Sequence, residues 1–142
     1  MDPRDFQQLA ATLSSGPSAA ACRTAISRAY YAVFNVGAET LRSLGFPIGK
    51  GAAAHGEVQK CLSNCGDGDV SAVASALTDL HSSRNRADYH LDRTDVEKAA
   101  VATAVVAEAA EMIRTLDRTF RGPSRSQLQA AIRQWRRGNG YP

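Results

Sequence analysis

The sequence predicts an all-α fold: an antiparallel bundle of four to five helices followed by a short amphipathic helix at the C-terminus. Three observations carry this expectation. Apolar residues recur at three- and four-residue spacing along most of the chain, no segment alternates with period two for long enough to make a strand, and abundant alanine favours close helix packing.

Asp2 and Pro3 read as a cap and a first helical position, with Phe6, Leu9, Ala10 and Leu13 tracing an apolar face behind them. Gly16 and Pro17 end that helix and open the next. Its stripe runs through Cys22, Ala25, Ile26, Ala29, Tyr30, Val33, Phe34, Gly37, Leu41 and Leu44, and stops at Gly45-Phe46-Pro47. Roughly 28 residues at a rise of about 1.5 Å make a rod of about 40 Å, the spine of the fold. A glycine-rich loop follows at 45–51, then a shorter helix carrying Val58 and Leu62, then Gly66-Asp67-Gly68-Asp69 as turn and cap.

Val70, Val73, Leu77 and Leu80 define a fourth helix, and the same spacing carried forward lands on Arg84. An arginine stands where the next core residue is due. Thr94-Asp95-Val96-Glu97 matches a capping box, so a fifth helix is expected to begin there and to run through Val96, Ala100, Thr103, Val106, Ala110, Ile113, Leu116 and Phe120. His90 then lies on the connection before it. After Gly122-Pro123 a last helix places Leu128, Ile132 and Trp135 on one face and Arg133, Arg136 and Arg137 on the others. The expected division is a bundle at 1–121 and a basic extension at 122–142.

A length of 142 residues suits one domain with an ordinary hydrophobic core. With 17 Lys plus Arg against 14 Asp plus Glu, the chain is no polycation that binds nucleic acid indiscriminately. The positive excess collects at the C-terminus, where Arg121, Arg125, Arg133, Arg136 and Arg137 stand with no acidic residue among them. That patch is either a solvated face beside a docked Trp135 or a contact for nucleic acid or a partner. The 3 cysteines, Cys22, Cys61 and Cys65, are odd in number and lack framework spacing, and the N-terminus shows no secretion-type pattern, so a reducing, cytoplasmic setting is expected. No apolar run approaches the roughly 20 residues that span a bilayer, so no membrane contact is expected.

The segment Arg84-Asn85-Arg86-Ala87-Asp88-Tyr89-His90 carries the chemistry. Arginine is a permanent forked cation suited to phosphate, histidine changes protonation near neutral pH, and Asn85 both donates and accepts hydrogen bonds. The structural alternative pairs Arg84 with Asp88 or Asp79 and leaves His90 as a surface or capping residue. Other constellations are weaker. Cys61-x-x-x-Cys65 with His55 lacks a fourth zinc ligand, the glycines around Lys50 lack phosphate-loop order, and no Glu-x-x-His pair or nucleophile elbow is present. Catalysis without metal or cofactor is the enzyme reading that remains.

Arg23-Thr24-Ala25-Ile26-Ser27-Arg28-Ala29-Tyr30-Tyr31-Ala32-Val33-Phe34, then His55, then Leu80-His81-Ser82-Ser83 running into the Arg84 to His90 segment, together resemble the HEPN superfamily, in particular its small stand-alone bacterial members. The resemblance covers roughly residues 5–120. It implies a helical bundle that pairs about a two-fold axis, joining the Arg-Asn-x4-His segments of both chains in one cleft. It further implies a metal-independent endoribonuclease, a toxin or antiviral effector, often paired with a nucleotidyltransferase antitoxin. Carried over, Arg84 and His90 are the catalytic pair and Asn85 the polar residue after the arginine. Arg86, Arg133, Arg136 and Arg137 are the arginines expected to hold RNA. In the nucleotidyltransferase-paired toxins a tyrosine two residues after the histidine can be the adenylylated site; here that position is Asp92. The rival expectation is a non-catalytic helical module that binds a nucleotidyltransferase or a larger effector complex.

Overall fold

A computed structural model describes all residues, 1–142. It is an all-helical bundle built from α1 (Arg4–Ser14), α2 (Ala19–Ser43), α3 (Ala53–Ser63), α4 (Gly68–Tyr89), α5 (Ala99–Phe120) and α6 (Arg125–Gly138), with a single 3₁₀ turn at Asp95–Glu97. No helix is long and apolar enough to cross a membrane.

The spine is α2, a helix of 25 residues and so about 37 Å long. It touches α1, α3, α4 and α5. Burial therefore extends beyond the single stripe read from the spacing: Ala32, Val36 and Ala38 are also within the core. A helix apolar on several faces is one surrounded by others. Gly37 permits the close approach of α3, because a Cβ there would lie 3.1 Å from Val58 Cγ1 and 3.4 Å from Leu62 Cδ1. The C-terminus of α2 closes with Gly45 at φ 92°, with the Phe46 N–H on the Leu41 carbonyl and the Gly45 N–H on that of Arg42. These two bonds are the Schellman arrangement, which satisfies the last carbonyls of a helix.

At the N-terminus the Asp2 carboxylate accepts from the Arg4 N–H (2.9 Å), and the Arg4 guanidinium forks onto Asp117 of α5. Leu9, expected on the apolar face of α1, is 46% exposed instead; Phe6 and Leu13 alone flank Ala10 against the core. The Asp67 carboxylate accepts from the Val70 N–H and caps α4, whose Val70, Val73, Leu77 and Leu80 are all buried.

The start of α5 departs from expectation. The Thr94 side chain makes no capping bond, and the Glu97 carboxylate is taken by Arg23 of α2 at 2.8 and 3.0 Å. Residues 95–97 form a 3₁₀ turn, Lys98 is extended, and the helix begins at Ala99. The extended residue resets the helical phase. Ala100 and Thr103 consequently face solvent, while Ala102, Val106, Ala109, Met112, Ile113, Leu116 and Phe120 fill the core.

Residues 122–142 add to the same core. Leu128 and Ile132 of α6 are buried in the cluster formed by the other helices, and Trp135 packs against it and stacks on Tyr141. Arg136, expected on an outward face either solvated or holding RNA, is 1% exposed. Its guanidinium donates to Glu57 (2.7 Å), to the Cys61 sulfur (3.4 Å) and to the Pro142 carbonyl (2.9 Å), and it lies over the rings of Phe46 and Tyr141. A buried arginine is retained only where its charge and donors are met, and here they are. That placement removes Arg136 from the set of residues able to touch RNA.

Candidate functional site

Arg84 sits one turn beyond Leu80 on the buried stripe of α4, with its side chain 13% exposed. Tyr31 of α2 and two residues of α4 itself accept from its terminal nitrogens. Nη2 donates to the Tyr31 hydroxyl (2.6 Å) and the Tyr89 hydroxyl (3.2 Å), and Nη1 donates to Asn85 Oδ1 (3.1 Å). The guanidinium also lies 5.1 Å from the ring centroids of both tyrosines. Asp88 Oδ2 is 2.9 Å from Nε, yet the Nε–H finds no aligned acceptor. The contact with Asp88 is thus Coulombic rather than a directed hydrogen bond, and the same carboxylate oxygen accepts from Ser27 Oγ (3.0 Å). Arg84 is held rigid, with its charge partly offset.

His90 is the C-cap of α4. Its backbone is fixed: the N–H donates to the Arg86 carbonyl (3.1 Å), and its carbonyl accepts from Arg93 (3.0 Å) and from Arg23 Nη1 (3.2 Å). Its side chain is exposed and makes no hydrogen bond within the chain. Within one chain, therefore, Asn85 meets Arg84, whereas no hydrogen bond or ion pair joins Arg84 to His90. Tyr89 and Leu91, which flank His90, are 66% and 75% exposed.

Neither the residue type nor the spacing of Arg23 points to its role. It is 8% exposed and reaches the carbonyls of Arg86, Ala87, His90, Leu91 and Arg93 while pairing with Glu97. One guanidinium thus positions the whole segment that carries His90. The available signal was an arginine beside Cys22 on an apolar stripe, a place where a charge must find partners.

The arginines expected to hold RNA are dispersed. Arg86 donates to Ser83 Oγ (3.1 Å) and stands 3.9 Å from Asp95, while Arg133 and Arg137 are exposed on α6. Cys61, beside Arg136, has its thiol pushed up by burial, an effect the neighbouring guanidinium opposes.

A second cluster lies where α2, α3 and α4 meet. Phe34, His55, His81 and Tyr30 have nearly parallel rings, with centroids 4.2 Å apart for Phe34 and His55, 5.3 Å for His55 and His81, and 4.8 Å for Tyr30 and His81. The Tyr30 hydroxyl shares a hydrogen bond with His55 Nδ1. Burial raises the Tyr30 phenol well above its ordinary range. Burial also lowers both imidazoles, helped by His81 and Arg84 in the case of His55 and by Arg84 in the case of His81. Family models, curated proteins and solved structures were all compared with this chain, and none matches it.

Proposed function

We propose that the protein is a metal-independent endoribonuclease of HEPN type that acts as a homodimer, in the role of a toxin or antiviral effector. The observation that carries this reading is the contrast at the end of α4. Arg84 is immobilised by tyrosine hydroxyls and Asn85, while the His90 imidazole projects into solvent between the exposed Tyr89 and Leu91. An anchored cation and a free imidazole that do not meet within one chain, with an exposed Tyr89 and Leu91 beside the imidazole, suit a cleft completed by a second copy of the chain.

In such a cleft the RNA 2′-oxygen attacks its own phosphorus as His90 of one chain takes the 2′-hydroxyl proton. The P–O5′ bond breaks, and the His90 of the other chain, or water, protonates the departing oxygen. The products are a 2′,3′-cyclic phosphate and a 5′-hydroxyl. Proton transfer of this kind contributes about 10² to 10⁴ in rate, and Arg84 stabilises charge on the phosphoryl oxygens. Arg86, Arg133 and Arg137 would hold flanking phosphates, which makes substrate binding weaken as salt rises.

One observation favours a different reading. Arg84 already has Asp88 as a counter-charge within its own chain, which a non-catalytic module would need and a phosphate site would not. Such a module would pair with a nucleotidyltransferase or a larger effector. The deciding assay incubates mixed RNA with the protein in EDTA and compares His90→Ala. Cleavage that falls by about 10² or more in the variant is expected; equal cleavage by both proteins, or none by wild type at any salt concentration, supports the binding module. Light scattering adds a second criterion, since a strict monomer at micromolar concentration removes the composite cleft.

A further inference from the structure

The junction of α2, α3 and α4 holds a cleft of about 210 Å³, walled by Tyr30, His55, Gln59, Thr78 and His81. Tyr30 and Thr78 use their hydroxyls within the chain, but part of the polar lining is unspent. The His81 ring makes no hydrogen bond within the chain, and His55 has only Nδ1 engaged, by Tyr30. Gln59 uses Nε2 on Ser63 Oγ (3.1 Å) and keeps its carbonyl oxygen. No carboxylate lines the cleft. On the helices around it, α2 presents the phenols of Tyr30 and Tyr31, α3 presents His55, and α4 presents His81 and Arg84. Glu57 of α3 is committed to Arg136, and Asp88 of α4 to Arg84 and Ser27. Burial lowers both imidazoles, and the positive charge of Arg84 lowers them further.

We propose that this cleft binds a single phosphoryl group at its mouth, against the ring edges of the stacked His55 and His81 imidazoles, with Arg84 adding its positive field. The site deepens the ribonuclease reading by giving RNA a phosphate position away from His90, and it rests on that reading only for the source of the phosphate. Two partly buried imidazoles stacked 5.3 Å apart within the field of a guanidinium resist protonation. An anion supplies the opposite charge that the walls lack. Proton and anion therefore bind together, each raising the affinity for the other by the same factor.

Sulfate tests this directly, because its charge does not change between pH 5.5 and 7.5. The imidazole resonances of the full chain are followed by NMR as sulfate is added at each pH. Sulfate is expected to move His55 and His81 while sparing His90, and to bind at least about tenfold more weakly at the higher pH. His55→Gln and His81→Gln, each checked for folding by circular dichroism, should each weaken binding about tenfold. Shifts confined to His90 or the C-terminal arginines, equal affinity at both pH values, or full binding by both variants would overturn the site. Two further ligands separate the sources of the phosphate. A 2′-O-methyl RNA oligonucleotide that moves the same two rings assigns the position to RNA, whereas movement by inorganic phosphate alone makes the occupant a free phosphoryl ligand and severs the link to RNA. A wild-type protein inert towards RNA would end the catalytic reading and leave the sulfate result to stand or fall by itself.

Discussion

Arg84 is tolerated below the surface because two phenols, one amide and one carboxylate surround its guanidinium, and its charge adds to the effect of burial on the neighbouring imidazoles. His55 and His81 are held below the ordinary histidine range by burial and by nearby positive charge. The unfolded chain thus takes up protons that the folded chain refuses. Stability from this source is complete above the unfolded value of about 6.5 and is lost as pH falls below it, towards and through the lowered folded values. Thermal melts at pH 7.5 and pH 5 should show a drop in Tm on acidification that is smaller in His55→Gln and His81→Gln; an unchanged drop in both variants would remove the imidazoles as its cause. Of this site the sequence displays Arg84, because a helical repeat makes a misplaced charge visible, and Asp88, because it stands four residues on along the same face. Tyr31 lies 53 positions away from Arg84, and His55 meets Tyr30 across 25, so no local pattern announces either contact.

At the scale of elements, close approach and borrowed side chains decide what spacing alone does not. Gly37 lets α3 rest on α2 through Val58 and Leu62. Alanine there regains up to about 1 kcal/mol of helix propensity but crowds Val58, whereas valine overpacks the contact and should cost about 1–2 kcal/mol net in urea denaturation. The onset of α5 shows the limit of local reading: Thr94-Asp95-Val96-Glu97 has the composition of a capping box, and the fold spends Glu97 on Arg23 from another helix. Arg23→Met tests that use. The substitution leaves Glu97 unpaired and strips a donor from the carbonyls of the 86–93 segment, at a cost of about 3 kcal/mol, near the low end for a broken buried pair because Glu97 keeps some solvent. Amide exchange at residues 90–93 should quicken more than in the core of α2. Uniform protection across both regions would show that Arg23 does not organise the connection.

For the molecule as a whole, the weight of the C-terminal residues distinguishes a docked helix from an appendage. The amphipathic pattern of α6 made Leu128, Ile132 and Trp135 recognisable as an inward face. The burial of Arg136 is invisible in that pattern, because its counter-charge, Glu57, is 79 residues distant on α3. Deleting residues 122–142 removes two core side chains, leaves the Glu57 carboxylate without its cation and uncovers Cys61. All three cysteines are buried in the intact chain, so a thiol reagent such as DTNB should react slowly with the folded protein. The truncated chain should expose one fast-reacting thiol, assigned to Cys61 by its loss in Cys61→Ala, and should melt at a lower temperature. Two smaller losses separate charge from burial. Arg136→Met keeps the apolar contacts of α6 but orphans Glu57, at about 3 kcal/mol, and adding Glu57→Gln to it should restore part of that loss, because the uncompensated carboxylate is then gone. If truncation leaves both melting temperature and thiol reactivity unchanged, α6 contributes nothing to the core, and its arginines are then free to serve as a contact surface alone.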